Sequence, residues 1–330
     1  MPWLVCPIRR RSLYSQRFCI TLNLGLFGFY GHEIAGFWNR RRLDSKIFVN
    51  RAGLAASGTS FVFLLPNPFP QVNQLMQQTR NAAGLYRPEF ERDSCGFGLI
   101  AQMDNRPSHW LVQTSIDALA RLTHRGAIAA DGKSGDGCGL LMRKPDAFLR
   151  QAAAGAGIEL GEHYGVGMVF LNRDPAMAEA ARAELQAELE RQGLAVAGWR
   201  AVPVNPDACG EESRESLPDI VQIFVNSPAG MLPEVFERHL FVARRRASQR
   251  IQARDPVYYA PSLSSRLISY KGLVMPANLP VFYPDLGDER LESSICLFHQ
   301  RFSTNTLPQW RLAQPFRYLA HNGEINTIGG

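Results

Sequence analysis

Cys95 opens the run Cys95 to Ile100 (CGFGLI) and is the best-placed candidate in this sequence for nucleophilic chemistry. A cysteine attacks only as a thiolate, so it needs a base. No histidine lies beside Cys95, but cleavage after Ser94 would expose an α-amino group at Cys95. Such a group has a pKa of about 8 and could be that base. The alternative is a buried structural cysteine at the head of an apolar strand, which this run alone favours.

A glycine-rich loop, residues 131–139, follows closely after Arg125. So many glycines indicate positive φ angles or a close approach of the backbone. The phosphate-binding order GxxxxGK[ST] is absent, which argues against a nucleotide site. Two interpretations stay open. The loop is either a plain tight turn before a strand at Leu140, or a turn that presents Arg125 and shapes a pocket beside Cys95.

Two runs near the C-terminus contain groups that could bind a carboxylate and an oxyanion. Arg301 is followed by hydroxyl residues that include Thr304, and its planar fork could hold both oxygens of a carboxylate. A surface salt bridge is the simpler explanation of a lone arginine. Further on, the Asn322 amide and the Gly323 backbone N–H could converge on one oxygen as an oxyanion hole. An ordinary turn explains the Asn-Gly pair equally well when the pair is taken alone.

The elements that must hold these residues follow from apolar patterns and capping signals. Strands are predicted at residues 96–103, 139–142, 164–171, 220–225, 266–270 and 295–299. Helices are predicted from Ser108 to near Gly126, from 175 to 193 and from 233 to 251. The sequence therefore predicts a mixed fold of helices and short strands, and those strands need not be parallel.

Charge and cysteine usage exclude several classes of function. The chain of 330 residues has a net charge of +6, but residues 1–75 hold nine basic and two acidic residues, which leaves −1 for the rest. A DNA-binding interpretation therefore rests on residues 1–75 alone. The six cysteines are far apart and contain no CxxC pair, which disfavours a zinc site or a disulfide framework and fits a cytoplasmic protein. No apolar stretch is long enough to span a membrane.

The chain divides into three segments. Residues 1–75 are basic and aromatic-rich, and Arg10 to Leu13 resembles a twin-arginine export signal, but no small-residue cleavage site follows. The more economical prediction makes Met76 the true start and residues 1–75 a non-native or disordered upstream extension. Residues 76–94 are then a propeptide, and residues 95–330 form the functional domain.

Together these motifs resemble the class II glutamine amidotransferases with an N-terminal nucleophile, and among them the glutamate synthase large-subunit type. The resemblance covers roughly Tyr86 to Gly330. The motifs that carry it are Cys95 to Gly98, Thr123 to Gly126, Gly135 to Gly139, Arg301 to Thr306, Gln314-Pro315 and His321 to Thr327. The order and spacing of these motifs are more specific than any one of them. It implies an α+β N-terminal nucleophile hydrolase fold, a four-layer αββα sandwich that is incomplete at the C-terminus.

The resemblance also implies roles for the candidate residues. Cys95 would attack the side-chain amide carbon of L-glutamine, with its own α-amine as base through water, while Asn322 and the Gly323 N–H hold the oxyanion. Ammonia would leave, and water would release glutamate from the thioester. Arg301, with Thr304 nearby, would bind the glutamine carboxylate. Arg125 would help to order the site around the Cys95 terminus.

For the whole enzyme, the resemblance implies that ammonia reaches 2-oxoglutarate at an FMN domain. Electrons would pass through a 3Fe–4S cluster from a small electron-donating subunit, and NADPH is the expected donor. No cofactor is expected within these residues. The acid that grips the glutamine α-amino group and the cofactor domains would lie beyond Gly330. The 330-residue chain is therefore expected to be truncated and to have little glutaminase activity. The alternatives are a class II amidotransferase that serves a phosphosugar or nucleotide precursor, and an inactive fragment.

Overall fold

The protein is represented by a computed structural model that describes residues 96–301 and 307–317, together with the backbone of three further short strands. The strands are β1 (Phe18–Thr21), β2 (Ser60–Val62), β3 (Phe97–Gln102), β4 (Cys138–Arg143), β5 (Tyr164–Leu171), β6 (Ala195–Ala201), β7 (Asp219–Asn226), β8 (Tyr259–Ser264), β9 (Leu267–Gly272), β10 (Ile295–Gln300) and β11 (Leu319–Asn322). The helices are α1 (His109–Arg121), α2 (Asp146–Gly155), α3 (Pro175–Arg191), α4 (Glu211–Glu215), α5 (Pro233–Gln252) and α6 (Leu279–Phe282).

The described strands form three sheets, and every strand pair in them is antiparallel. The first sheet has the order β2-β3-β10-β4-β9, the second β6-β7-β5-β8, and the third pairs β1 with β11. Helices separate many of the strands along the chain. The prediction of an α+β protein is confirmed, and its strands, which need not have been parallel, are antiparallel in these sheets.

The main hydrophobic core joins the two larger sheets. Alternate residues of a strand lie on opposite faces, and the even-numbered residues of β4, β5 and β9 share one buried cluster with α1, for example Leu140, Met168 and Tyr270. The odd-numbered residues of β5 and β7 face a second cluster, which α3 and α5 complete. Apolar packing on both faces thus fixes β5 and β7 in the second sheet.

Local capping sets the helix starts. The Ser108 hydroxyl accepts a hydrogen bond from Leu111 N at 3.3 Å, and the Asp174 carboxylate caps α3 just before Pro175. The predicted helix from Ser108 to Gly126 is interrupted, because α1 ends at Arg121 and one 3₁₀ turn, Thr123–Arg125, follows it. This turn delivers Arg125 to the edge of the first sheet. None of the described helices has the length and apolar character needed to cross a membrane.

A buried ion pair links the second sheet to the segment that follows α6. Arg200 donates to both oxygens of Asp285, each at 2.8 Å, and its Nη1 also donates to Gln222 Oε1 at 2.8 Å. The Tyr270 hydroxyl donates to the same carboxylate at 3.2 Å. Asp285 is only 5% exposed, so its charge depends on these protein donors for compensation. This network holds β6, β7 and β9 to one carboxylate.

Candidate functional site

Two strand ends meet where the candidate nucleophile is attached. Gly96 precedes β3 and Gln300 ends β10, and the Gln300 backbone N–H donates to the Gly96 carbonyl at 2.6 Å. A Cβ atom at Gly96 would overlap the Gln300 carbonyl oxygen, so the close approach requires glycine here. Cys95 is bonded to Gly96 but lies outside the described residues. The candidate site can therefore be followed from Gly96 outward.

Arg301 and Arg125 are brought together at this edge. Arg301 directly follows β10, and its Nη1 donates to the Arg125 carbonyl at 3.3 Å. The Arg301 backbone has a φ of +76°, in the left-handed region that non-glycine residues rarely adopt. Its N–H donates to the Gly137 carbonyl at 2.8 Å. Such a strained residue is typical of functional sites, where the surrounding structure enforces the conformation.

Asp136 is a charged side chain of this cluster that the sequence analysis did not single out. Its Oδ2 lies 3.1 Å from Arg301 Nε, and the residue is only 5% exposed. Neither of these two atoms has a well-aligned hydrogen bond, so the contact is an ion pair held by proximity. Burial raises the pKa of Asp136 to about 6, against the opposing effects of the Ala127 backbone N–H and the Arg301 charge. Its position between Gly135 and Gly137 was the signal available in the sequence.

Gln300 and Gly126 complete the surroundings of Asp136. The Gln300 Nε2 amide lies 3.4 Å from Asp136 Oδ1 and donates to it. A Cβ atom at Gly126 would overlap that same amide nitrogen. Gly126 is thus needed because the Gln300 side chain lies against its backbone.

The first half of the glycine-rich loop is a turn closed by its own carboxylate. Asp131 Oδ1 accepts from the backbone N–H groups of Lys133 at 2.9 Å and Ser134 at 2.7 Å. A hydrogen bond from the Ser134 hydroxyl, together with these two backbone bonds, lowers the pKa of Asp131 well below its usual value. The Ser134 hydroxyl in turn accepts from Ser213 N in α4 at 3.1 Å. Residues 131–134 therefore form a tight turn, and the chemistry of the loop lies in its second half, at Asp136.

A fully buried lysine fixes the segment that leads to β11. Lys271 Nζ donates to the carbonyls of Arg311 at 3.0 Å and Ala313 at 2.5 Å. Burial holds the pKa of Lys271 well below its usual range. The peptide bond between Gln314 and Pro315 is cis. This segment continues to β11, whose last residue is the predicted oxyanion residue Asn322. The Asn322 side chain, Gly323 and Thr304 lie outside the described residues.

The three described cysteines are poor candidates for a nucleophile. Cys138, Cys209 and Cys296 are all buried and free. Burial raises the pKa of Cys209 to about 11 and that of Cys296 to about 12, and it raises the pKa of Cys138 as well. A thiol in such surroundings stays protonated at neutral pH.

Similarity to known proteins identifies the family of this chain. A model of the family described as "Glutamine amidotransferases class-II" matches residues 95–330, so the match begins at Cys95. The chain is 42% identical over 254 residues to the glutamate synthase [NADPH] large chain of Bacillus subtilis, covering 77% of this chain and 17% of that protein. It is 44% identical over 251 residues to the glutamate synthase [NADPH] large chain of Azospirillum brasilense, covering 75% of this chain and 17% of the relative.

A third relative carries a different electron donor in its name. Ferredoxin-dependent glutamate synthase 2 of Synechocystis is 40% identical over 272 residues, which cover 81% of this chain and 17% of that protein. The aligned residues thus span about a sixth of the length of these curated relatives.

Proposed function

Since the chain belongs to the class-II glutamine amidotransferases, we propose that residues 95–330 hydrolyse L-glutamine to glutamate and ammonia. The observation that carries this proposal is the guanidinium of Arg301. It is held by Asp136 and the Arg125 carbonyl at the sheet edge where Gly96 joins Cys95. An oriented arginine in that position suits the carboxylate of an amino-acid substrate.

Cys95 acts in this proposal once the bond to Ser94 is cut. Its thiolate attacks the amide carbon, and the proton passes through water to the new α-amine. The amide of Asn322 and the N–H of Gly323 stabilise the oxyanion. The thioester is then hydrolysed by water. Arg125 orders the Cys95 terminus, and its carbonyl contact with Arg301 supports that role.

Substrate binding is assigned to Arg301, with Thr304 beside it. The fold proposed for this chemistry is the four-layer sandwich of N-terminal nucleophile hydrolases. Two antiparallel sheets that share a core, with α3 and α5 packed on one of them, support it. The proposed boundaries are an extension at residues 1–75, a propeptide at 76–94 and the domain at 95–330. The start of the family match at Cys95 supports the last boundary.

Within the family, we propose the glutamate synthase reaction, in which ammonia converts 2-oxoglutarate to a second glutamate. The names of the relatives support this assignment, and the NADPH type is favoured over the ferredoxin type by slightly higher identity. A small electron-donating subunit and a cytoplasmic location belong to the same proposal.

In the full-length enzyme of this proposal, the reaction would also use FMN and a 3Fe–4S cluster. No group of three or more side chains that could hold a metal ion occurs among the described residues. No step is therefore assigned to either group in this domain.

The direct test is labelling with the glutamine analogue 6-diazo-5-oxo-L-norleucine in the complete product of the gene. Mass spectrometry should find one label, on a peptide that begins at Cys95, together with release of ammonia from glutamine. Polypeptides that all retain Ser94, or a label on another residue, would contradict the proposal. The expectation that the 330-residue chain alone has little glutaminase activity is tested by the same ammonia assay.

Replacing Arg301 by lysine should raise the KM for glutamine by about 100-fold, with a smaller change in kcat. Lysine keeps the positive charge and carries the same cost of a left-handed backbone, but it loses the planar fork. Steady-state ammonia release measures both constants. The matched control is Arg290→Lys, which changes an exposed arginine paired with Asp288 and should leave KM unaltered. An unchanged KM in Arg301→Lys would show that the Arg301 side chain does not bind the substrate carboxylate.

A further inference from the structure

We propose that Asp136 is a positioning residue for substrate recognition: its buried carboxylate orients the Arg301 guanidinium toward the glutamine carboxylate. The inference rests on the proposed glutaminase function. It adds a residue that the sequence motifs alone did not single out.

Two described contacts hold the Arg301 guanidinium, at its Nε and Nη1 atoms. Asp136 Oδ2 lies 3.1 Å from Nε, and the Arg125 carbonyl accepts from Nη1 at 3.3 Å. Neither of these two contacts uses Nη2, and the proposal places the glutamine carboxylate at that side of the guanidinium. Without Asp136, the long arginine side chain would lose one of the two contacts that define its direction, and its rotamer freedom would oppose binding.

Asp136 and Arg301 are also tied through the backbone. The Arg301 N–H donates to the carbonyl of Gly137, the residue after Asp136, at 2.8 Å. Arg301 has a φ of +76°, and Gly137 has a φ of +107°. Both unusual conformations are thus used to hold the arginine beside the carboxylate. The side-chain amide of Gln300 donates to the other carboxylate oxygen at 3.4 Å.

This ion pair is a poor stabiliser of the fold. The carboxylate is buried and its contact with Arg301 is not aligned as a hydrogen bond. Burial outweighs the attraction of Arg301, and the pKa of Asp136 rises to about 6. Because the pKa of Asp136 is raised in the folded protein, ionisation of this carboxylate at neutral pH disfavours the folded state. The Arg301 side chain is 32% exposed, so water can solvate its charge when position 136 is neutral, unlike a fully buried partner. A role in orienting Arg301 accounts for a charge at this position.

The arrangement makes glutamine binding sensitive to pH. Among the described residues, the charged or titratable groups around Asp136 are Arg301 after β10, Arg125 in the 3₁₀ turn and the Cys138 thiol in β4. The raised pKa of Cys138 keeps that thiol neutral. Protonation of Asp136 below about pH 6 removes the partner of Arg301. The KM for glutamine therefore rises as the pH falls through that value.

The test is steady-state glutaminase kinetics of the complete gene product between pH 5 and pH 8, as wild type and as Asp136→Asn. At neutral pH the substitution should raise KM roughly tenfold or more, with kcat changed less than about threefold. Wild-type KM should climb below about pH 6, and the KM of Asp136→Asn should stay level there. The thermal unfolding midpoint of the variant should equal or exceed that of wild type, which a structural role would not produce.

Two further measurements keep the outcomes separable. Asp288→Asn removes the carboxylate of another aspartate–arginine pair and should leave KM and its pH profile unaltered. If Asp136→Asn fails to fold, the wild-type profile decides, because a KM that is level across pH 6 overturns the proposal. An unchanged KM in a folded Asp136→Asn also overturns it. Absence of ammonia release and of Cys95 labelling in wild type would instead refute the proposed glutaminase function.

Discussion

Replacing Cys95 by alanine should lower ammonia release from glutamine by at least about 1,000-fold, the largest effect on activity expected of any substitution in the chain. Alanine leaves no atom that can form the thioester, and the α-amine has no thiol to deprotonate. Initial rates of ammonia release from the complete gene product measure the loss. Under the proposed glutamate synthase reaction, glutamate formation from added ammonia should stay near the wild-type rate, because that step does not use the thiol.

Cys209→Ala and Cys296→Ala are the matched controls for that experiment. Both thiols are buried, and their pKa values of about 11 and about 12 keep them protonated at neutral pH. Each control should retain the wild-type rate once the fraction of folded protein is taken into account. Wild-type activity in Cys95→Ala would show that another residue is the nucleophile and would overturn the proposed mechanism.

Replacing Asp285 by alanine should lower the free energy of unfolding by about 3–5 kcal/mol, the largest expected effect on stability. The substitution leaves the partly buried Arg200 guanidinium without its counter-ion, and it removes the acceptor of the Tyr270 hydroxyl. Gln222 alone cannot neutralise Arg200. Urea unfolding followed by circular dichroism gives the change, read from the midpoint at constant slope.

The double variant Arg200→Met with Asp285→Leu tests the reason for that loss. It removes both charges together, so no buried charge is left unpaired, and it should recover much of the lost stability. Asp288→Ala, which breaks the exposed pair with Arg290, should change the unfolding midpoint far less. An Asp285→Ala variant that unfolds at the wild-type urea concentration would show that the network contributes little.

Elements with strong local signals could be predicted from the sequence. The helix α3 follows Asp174 and Pro175 and ends at Arg191, close to the predicted stop at Gly193, because cap and stop residues act over one turn. The strand β5 was predicted with its observed bounds, since its eight residues are all buried and form an uninterrupted apolar run.

Elements with weak local signals were missed, and the structure explains why. The strands β6 and β8 lie at the two edges of the second sheet, where alternation of apolar residues is not enforced. A register shift interrupts β6 between Val196 and Gly198, and β8 contains Pro261, which edge strands tolerate. The helix α2 follows Pro145, which offers no side-chain cap.

The candidate site was predictable only in part for a related reason. Arg301 and Arg125 were identified from motifs, but their contact spans 176 positions of the sequence. Asp136 lies 165 residues before its partner Arg301, and no periodic pattern marks a loop residue that is buried by tertiary packing. The positive φ of Arg301 could not be predicted either, because a left-handed backbone is normally signalled by a glycine and this position holds an arginine.

Chemical modification of Lys271 can report whether the segment before β11 is in its folded position. Its amine is fully buried and engaged by the carbonyls of Arg311 and Ala313, so amine-reactive reagents cannot reach it while those contacts persist. Modification of Lys271 therefore reports the fraction of molecules in which this segment has opened. The lysine serves as a built-in probe at the base of the strand that ends in Asn322.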